Sequence, residues 1–546
     1  MPNCPQCKSS FEVTAKDRRF YDRIGVPEPT LCPDCRQQRR MAFRNEKNLY
    51  HRKCDLTGKQ LVSIYSADKP YTVYDRQEWW GDKWDPLSFG RDFDFSKPFF
   101  SQIGDLMRAV PRPAAYIVNG VNSEYNNHVE NVKNCYLCVD TVGEDIYYSD
   151  WCLDGRLVVD SFYMYKCELC YELQMCKNCY HCIYCLLADD CSDSYFLYDC
   201  KNCRDCLMCS NLRNKQYCIL NKQYSKEEYF KKLEATRLSD FTAFNKTKNY
   251  FFNEFIKNLL HRYALVVNSE NCTGDLIFDS RNIEYGFNVT NSEDCKYCQD
   301  VYEAKDCYDT YQSAFGCELL YEQHACNRNV NCIACSISYY NSDCRYCDII
   351  YHCHDCFGCV GLRNKRYCIL NKQYSKEEYE KLLPKIIEHM RATKEWGEFF
   401  PVTLSPFAYN ESVAQRYFPL TKDEVLARFW AWHEDMEAKS YKGPLYSIPD
   451  DIHDVGDEIT KSVLTCEATG KPYKIIPQEL KFYREMNLPV PRRCPDQRHS
   501  DRMSLRNPRK LWSRTCGKCG VTIQSSYAPN RSEAVYCEKC YLTAVY

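Results

Sequence analysis

Cys200-Lys-Asn-Cys203-Arg-Asp-Cys206-Leu-Met-Cys209 is the stretch that decides the middle of this chain. Its cysteines fall at every third position. From Cys167 to Cys218 every cysteine lies a multiple of three from the first, and the same holds from Cys317 to Cys368. Skipped points hold Leu173, Ala188, Ser194, Leu197, Leu320, Ser338 or Ile350, mostly small or apolar. A period of three matches neither the 3.6 of an α-helix nor the 2 of a plain strand. Polyproline coils have it but want glycine or proline, and a 3₁₀ helix does not run so far. The pattern therefore predicts a solenoid whose coil length is a multiple of three, with an inward ladder of small thiols. Val158 to Tyr165 and Asp193 to Tyr198 supply strand-like faces. Asn/Asp-Cys and Asp-Ser pairs suit the corners, where short polar side chains bond local backbone.

The lattice is written twice. Leu212 to Tyr229 returns as Leu362 to Tyr379 with one change, Gln216 to Arg366, 150 residues on. Each copy ends in a capping box, Ser225-Lys-Glu-Glu228 and Ser375-Lys-Glu-Glu378, which starts a helix closing the stack. Thr421-Lys-Asp-Glu424 caps a further helix, expected to run through Leu426, Phe429 and Trp430, and Pro444 to Asp457 reads as an acidic linker.

A second duplication joins the ends. Cys4, Cys7, Cys32 and Cys35 fall, 462 residues on, at Cys466, Thr469, Cys494 and Gln497. Cys54, Thr57, Asp75 and Glu78 fall at Cys516, Cys519, Cys537 and Cys540. Phe20, Tyr21, Arg36, Arg40, Arg44 and Asn45 recur as Phe482, Tyr483, Arg498, Arg502, Arg506 and Asn507 in the same register. Each end is thus a tandem of two four-ligand modules in which one set of cysteines survives. Cys4-Pro-Gln-Cys7 with Cys32-Pro-Asp-Cys35, and Cys516-Gly-Lys-Cys519 with Cys537-Glu-Lys-Cys540, are paired Cys-x-x-Cys knuckles. Four thiolates make a closed tetrahedral site, the structural zinc arrangement, so two structural zinc ions are expected. Cys54 keeps one thiol among hard carboxylates. Cys466 and Cys494 keep two, with His499 near but out of register. Neither set is expected to hold metal.

Cys4-x-x-Cys7, Phe11-Glu-Val-Thr14, Phe20-Tyr21, Pro27-x-Pro29 and Leu31-Cys32-Pro-Asp-Cys35-Arg36 resemble a zinc-ribbon domain of many bacterial proteins. Over nearly its whole length the chain is similar to a family of large cysteine-rich bacterial proteins with zinc-binding domains at both ends. The resemblance implies full cysteine sets at both ends, so Thr57, Asp75, Glu78, Thr469 and Gln497 stand as departures. It implies no particular activity.

The expected architecture is multidomain and mainly β. Tandem zinc-ribbon or treble-clef-like modules occupy 1–100 and 446–546, and Cys-rich solenoid repeats occupy 101–224 and 265–374. A helical insertion fills 225–264, and a helical cap with linker fills 375–445. With 546 residues, a formal charge of −2 and a pI near 6.6, the chain is no globally basic nucleic-acid binder. No charged-then-apolar leader precedes Cys4 and no apolar run would span a bilayer, which points to a cytoplasmic protein without a membrane partner. Forty cysteines in a reducing compartment are metal ligands or small packing residues.

Local basic strips remain. Arg36, Arg40 and Arg44, repeated as Arg498, Arg502 and Arg506, stand four apart on one helical face, with Tyr50 matched by Trp512. Arginines beside an aromatic on a zinc-stabilised element suit a phosphate backbone and stacked bases. The same spacing equally suits a structural contact between the ends and the solenoid. The first functional reading is a non-enzymatic zinc-binding scaffold with RNA or a ribonucleoprotein as partner. One alternative is a protein-interaction scaffold. Another is a metal-handling or redox protein using the lattice thiols, with His181, His352 or His354 as further ligands.

Overall fold

The structure is a computed structural model that describes residues 1–165, 167–324, 326–434 and 446–545. For residues 164–165, 175–177, 313–315, 317 and 326–327 the description covers backbone alone, so the lattice side chains of Cys176, Cys317 and Cys326 lie outside it, as does the start of the linker at Pro444.

The period of three appears as left-handed backbone. Asn202, Asp205, Met208, Asn211 and Asn214 all have φ between 49° and 56°. Most of the described lattice cysteines follow such a residue, as Cys203 follows Asn202 and Cys344 follows Asp343. Asparagine and aspartate tolerate this conformation best, which is why Asn-Cys and Asp-Cys pairs recur. The left-handed residue turns the chain after every third position, and the next side chain points inward. Its freed amide bonds the previous turn of chain: Asn202 N–H donates to Asp189 O at 2.9 Å and Asn214 N–H to Lys201 O at 3.0 Å.

Successive strands are parallel, and each residue pairs with the one twelve positions on: Tyr180 with Ser192, Ser192 with Arg204, Cys206 with Cys218. The second run keeps the step, with Gly274 on Gly286 and Cys356 on Cys368. Among the described residues these pairings build an eleven-stranded sheet over 132–223 and an eight-stranded one over 266–351. We call the two stacks the first and second ladders. One turn in each ladder is short by a residue, Val132 pairing with Gly143 and Val266 with Ile277, and there the chain cuts its corner. Gly143 has φ +140°, and a Cβ on it would stand 2.1 Å from Gly155 O, so only glycine fits. Another turn carries an extra residue, Ala304 pairing with Cys317.

Inside each ladder the thiols stack in columns, such as Cys179, Cys191 and Cys203, or Cys332, Cys344, Cys356 and Cys368, all buried. They are more than small hydrophobes. Cys344 Sγ lies 3.3 Å from Ser342 O and 3.5 Å from Cys353 O. Cys209 Sγ lies 3.3 Å from Leu207 O and 3.5 Å from Cys218 O. Serine at a lattice point does likewise, Ser194 Oγ donating to Ser192 O at 2.7 Å. The tight corner turns a carbonyl inward and the next side chain donates to it, so a buried acceptor is not left bare.

Both ladders end in an antiparallel hairpin, Cys218 on Gln223 and Cys368 on Gln373. The helices Lys226–Glu234 and Lys376–Ala392 follow, each with its serine capping box formed. Their first-turn tyrosines pack on the last strand, Tyr229 on Tyr217 and Tyr379 on Tyr367, covering an edge that would otherwise be open. The helix capped by Thr421 is shorter than its sequence suggests. It spans Lys422–Leu426, and Phe429 is left-handed and 89% exposed, which ends the helix and lets Trp430 fold back to stack on Tyr409 at 5.3 Å.

The ends repeat as structure. The hairpin Tyr50–Lys53 with Gln60–Ser63 is matched by Trp512–Thr515 with Thr522–Ser525, and the helix Pro33–Met41 by Pro495–Ser504. All four knuckles make one turn, closed by Lys8, Gly58, Gly470 and Gly520 at φ between 65° and 74°. No helix among the described residues is long and apolar enough to cross a membrane.

Candidate metal centres

In the first module the knuckle turn brings Cys4 and Cys7 opposite Cys32, which caps the helix Pro33–Met41, and Cys35 in that helix's first turn. The four sulfurs lie within 4.8 Å of one another. Those of Cys7 and Cys32 are 3.6 Å apart. Four bonds of about 2.3 Å to a tetrahedral ion place the sulfurs about 3.8 Å apart, so the set fits zinc as it stands. Hydrogen bonding from the Cys35 thiol, against burial, holds Cys32 down at about 5, and the same contact with burial pushes Cys35 up, so the protonated Cys35 steadies one thiolate beside it. The Cys516, Cys519, Cys537 and Cys540 set is as tight, with Cys519 and Cys537 sulfurs 3.8 Å apart, but more exposed. Backbone amides of Cys519, Cys537 and Lys518 overcome burial and lower Cys516 to about 6. Among the described residues no other group of three or more His, Cys, Asp or Glu converges this way.

Residues 2–44 match the family model of a probable treble clef domain. That match supports a zinc-binding role for the first module and reaches no further along the chain. No curated protein matches, and no solved structure does.

The degenerate sets keep the frame and lose the ligands. Asp75 N–H donates to Cys54 Sγ at 3.1 Å, just as Cys537 N–H donates to Cys516 Sγ at 3.2 Å. The Asp75 carboxylate, however, caps the helix Arg76–Trp80, and Glu78 pairs with Lys83 at 2.8 Å. In the other set Thr469 Oγ1 stands 3.9 Å from Cys494 Sγ, and Gln497 donates to Asp501. His499 faces away, 3.2 Å from Asp150 and 2.9 Å from Lys47. In the ladders, burial pushes the Cys138, Cys152 and Cys335 thiols up, toward the protonated form. His181 pairs with Asp193, His354 with Ser342, and His352 stacks on Tyr340.

Five of the six arginines that the sequence offers to a nucleic acid are buried in ion pairs, which corrects the expectation that they form an accessible basic strip. Arg36 is buried and donates from Nε and Nη2 to Asp309 at 3.0 and 2.8 Å. Arg40, also buried, lies 3.5 Å from Asp309 and 3.8 Å from Glu322, and Arg44 reaches Asp140 at 2.6 Å and Glu46 at 2.8 Å. Their repeats do the same. Arg498 pairs with Asp160 at 2.9 Å and Glu479 at 3.0 Å, and Arg502 with Asp160 at 2.7 Å. Arg506 is half-buried, its guanidinium 4.4 Å from the Phe162 ring centre. Arg36, Arg40, Arg44, Arg498 and Arg502, so placed, are closed to a phosphate backbone. Charge periodicity showed one face of a helix; it could not show that buried carboxylates await it.

The wiring is crossed. The N-terminal module plugs into the second ladder through Asp309 and Glu322, and its C-terminal copy plugs into the first through Asp160 and Glu172. Lys47 and Arg509, again 462 apart, reach back across, Lys47 to Asp150 and Arg509 to Asp300. The outer modules add strands: Val73–Tyr74 pairs with Arg112–Pro113, and Ala534–Tyr536 with Leu260–Arg262. The carboxylates are the site residues that sequence reasoning missed. Asp160 and Asp309 are lone acids at left-handed corner positions, indistinguishable in sequence from the others there.

Proposed function

We propose that this protein is a non-enzymatic scaffold holding two structural zinc ions, in which two solenoids of twelve-residue coils are clamped side by side by the end modules. The observation that carries the reading is the pair of closed four-sulfur sets, which leave no ligand position for water or substrate. The crossed arginine clamps support a rigid body, because each end module is tied to both ladders. A protein partner is favoured over RNA, since the arginines suited to phosphate are spent on internal carboxylates.

Metal per chain, measured on anaerobically purified protein beside a free-thiol count after unfolding, tests this. Two zinc ions with the remaining thiols free is the expected result. Iron, or clearly more than two metals, would move the chemistry into the ladders and overturn the reading. RNA binding that falls steeply with salt and is lost in Arg40→Ala and Arg502→Ala would restore the nucleic-acid reading.

A further inference from the structure

The N-terminal module covers a particular patch of the second ladder. Phe20 stacks on Tyr308 with ring centres 3.8 Å apart, Tyr21 meets Tyr321 edge-on at 5.2 Å, and Arg36 and Arg40 sit over Asp309 and Glu322. Tyr308, Asp309, Tyr321 and Glu322 are all 2% exposed or less beneath it. The covering residues are tied to the thiol set by the shortest of links. Cys32 is the cap and Cys35 the first turn of the helix that carries Arg36 and Arg40. The other helix, Ala15–Ile24, carries Phe20 and Tyr21 between the two knuckles. The module's apolar residues form a joint cluster with the ladder and with Trp396, Phe399 and Phe400 rather than a core of their own. Such a module depends on its ion for shape.

The C-terminal copy covers the matching patch, Val159, Asp160, Tyr171 and Glu172, with Tyr148 beneath Arg498, without a thiol set. It has a substitute. Glu479, fully buried, accepts from Tyr148 Oη and Tyr483 Oη at 2.8 Å each and pairs with Arg498 at 3.0 Å. In the N-terminal module this position is Asp17, which pairs with Lys296 on the ladder at 2.8 Å, lies against Tyr308 and caps its own helix, but does not pair with Arg36 as Glu479 does with Arg498.

We infer that zinc at the first site gates the acidic, aromatic patch of the second ladder. With the ion bound the module closes over Tyr308, Asp309, Tyr321 and Glu322; without it the helices lose their common anchor, the module lifts, and the patch opens. The patch on the first ladder stays shut in both states. The inference rests on zinc binding at the first site.

Hydroxyl-radical footprinting of the full chain reads it, before and after a zinc chelator, with zinc per chain measured alongside. Tyr308 and Tyr321 are expected to pass from protected to several-fold more reactive, while Tyr148 and Tyr171 keep their protection. Cys4→Ser should reproduce this with one zinc lost. Cys519→Ser should lose the other zinc and leave Tyr308 and Tyr321 protected. Should Cys4→Ser fail to fold, chelation of the unaltered chain remains decisive. Zinc that leaves without exposing Tyr308 and Tyr321, or four tyrosines that open together, overturns the gate while leaving zinc binding intact. A purified chain without zinc overturns both.

Discussion

The N-terminal module and its C-terminal copy have the same two helices, the same Phe-Tyr pair and the same arginines four apart, but only one keeps its thiols. The difference teaches what a metal does in such a module and what can stand in for it. Where the four thiols survive, the helix bearing Arg36 and Arg40 is fixed from its first turn. Where Thr469 and Gln497 have replaced two of them, the weight has moved to a buried carboxylate. Arg498 has two acids, Asp160 and Glu479, where Arg36 has one, Asp309.

The sharpest way to break this comparison is to remove the equivalent arginines. Arg498→Ala leaves Asp160 and Glu479 buried with one partner fewer, a loss of about 3–5 kcal/mol for a buried pair. Arg36→Ala should cost less, because the ion still holds its helix; under chelator the two costs should converge. Denaturant unfolding of both variants, with and without chelator, measures this. Equal costs in the presence of zinc would mean that the ion adds nothing to docking.

Next in size is loss of a thiol. Cys35→Ala should take zinc from two per chain to one and loosen residues 2–44. Cys494→Ala should leave zinc at two and cost about 1 kcal/mol, the scale of a small buried group. The reverse experiment sharpens the comparison. Thr469→Cys with Gln497→Cys restores the copy's set on a frame that has kept its knuckle turn and its helix cap at Cys494. A third zinc per chain is expected, with a gain in thermal stability. A doubly substituted chain that still holds two would show that the frame has drifted too far to accept an ion.

How much of this was legible depends on whether a residue's role is set by its neighbours in sequence. Both thiol sets were, because two cysteines three apart already form half a site. The corners were, because Asn-Cys and Asp-Cys pairs recur in step with the lattice, although their left-handed backbone was not foreseen. The twelve-residue step shows only as a multiple of three, since nothing in one turn of chain records how many triplets close it. The arginines were found and misread. Their partners Asp309 and Asp160 lie hundreds of residues away, and neither local charge nor periodicity predicts which acid a crossed contact will use.

The smallest effect concerns the ladder thiols, which are buried and bonded to backbone carbonyls rather than gathered into a four-sulfur set. Cys347 Sγ lies 3.3 Å from Arg345 O and 3.6 Å from Cys356 O. Cys347→Ser keeps a donor there, as Ser194 does at its own lattice point, and should change stability by about 1 kcal/mol or less. Cys347→Ala loses the bond but fits, as Ala188 does, and should cost slightly more. Cys347→Val adds a methyl group to a packed column and should cost most of the three, about 1–3 kcal/mol. That order follows if the ladder needs small donors; the reverse order for serine and valine would mean that it needs only apolar volume. Zinc should stay at two in all three variants. If Cys347→Ser instead lowered the metal count, the distinction between the two kinds of thiol would fall, and the ladders would have to be read as metal sites.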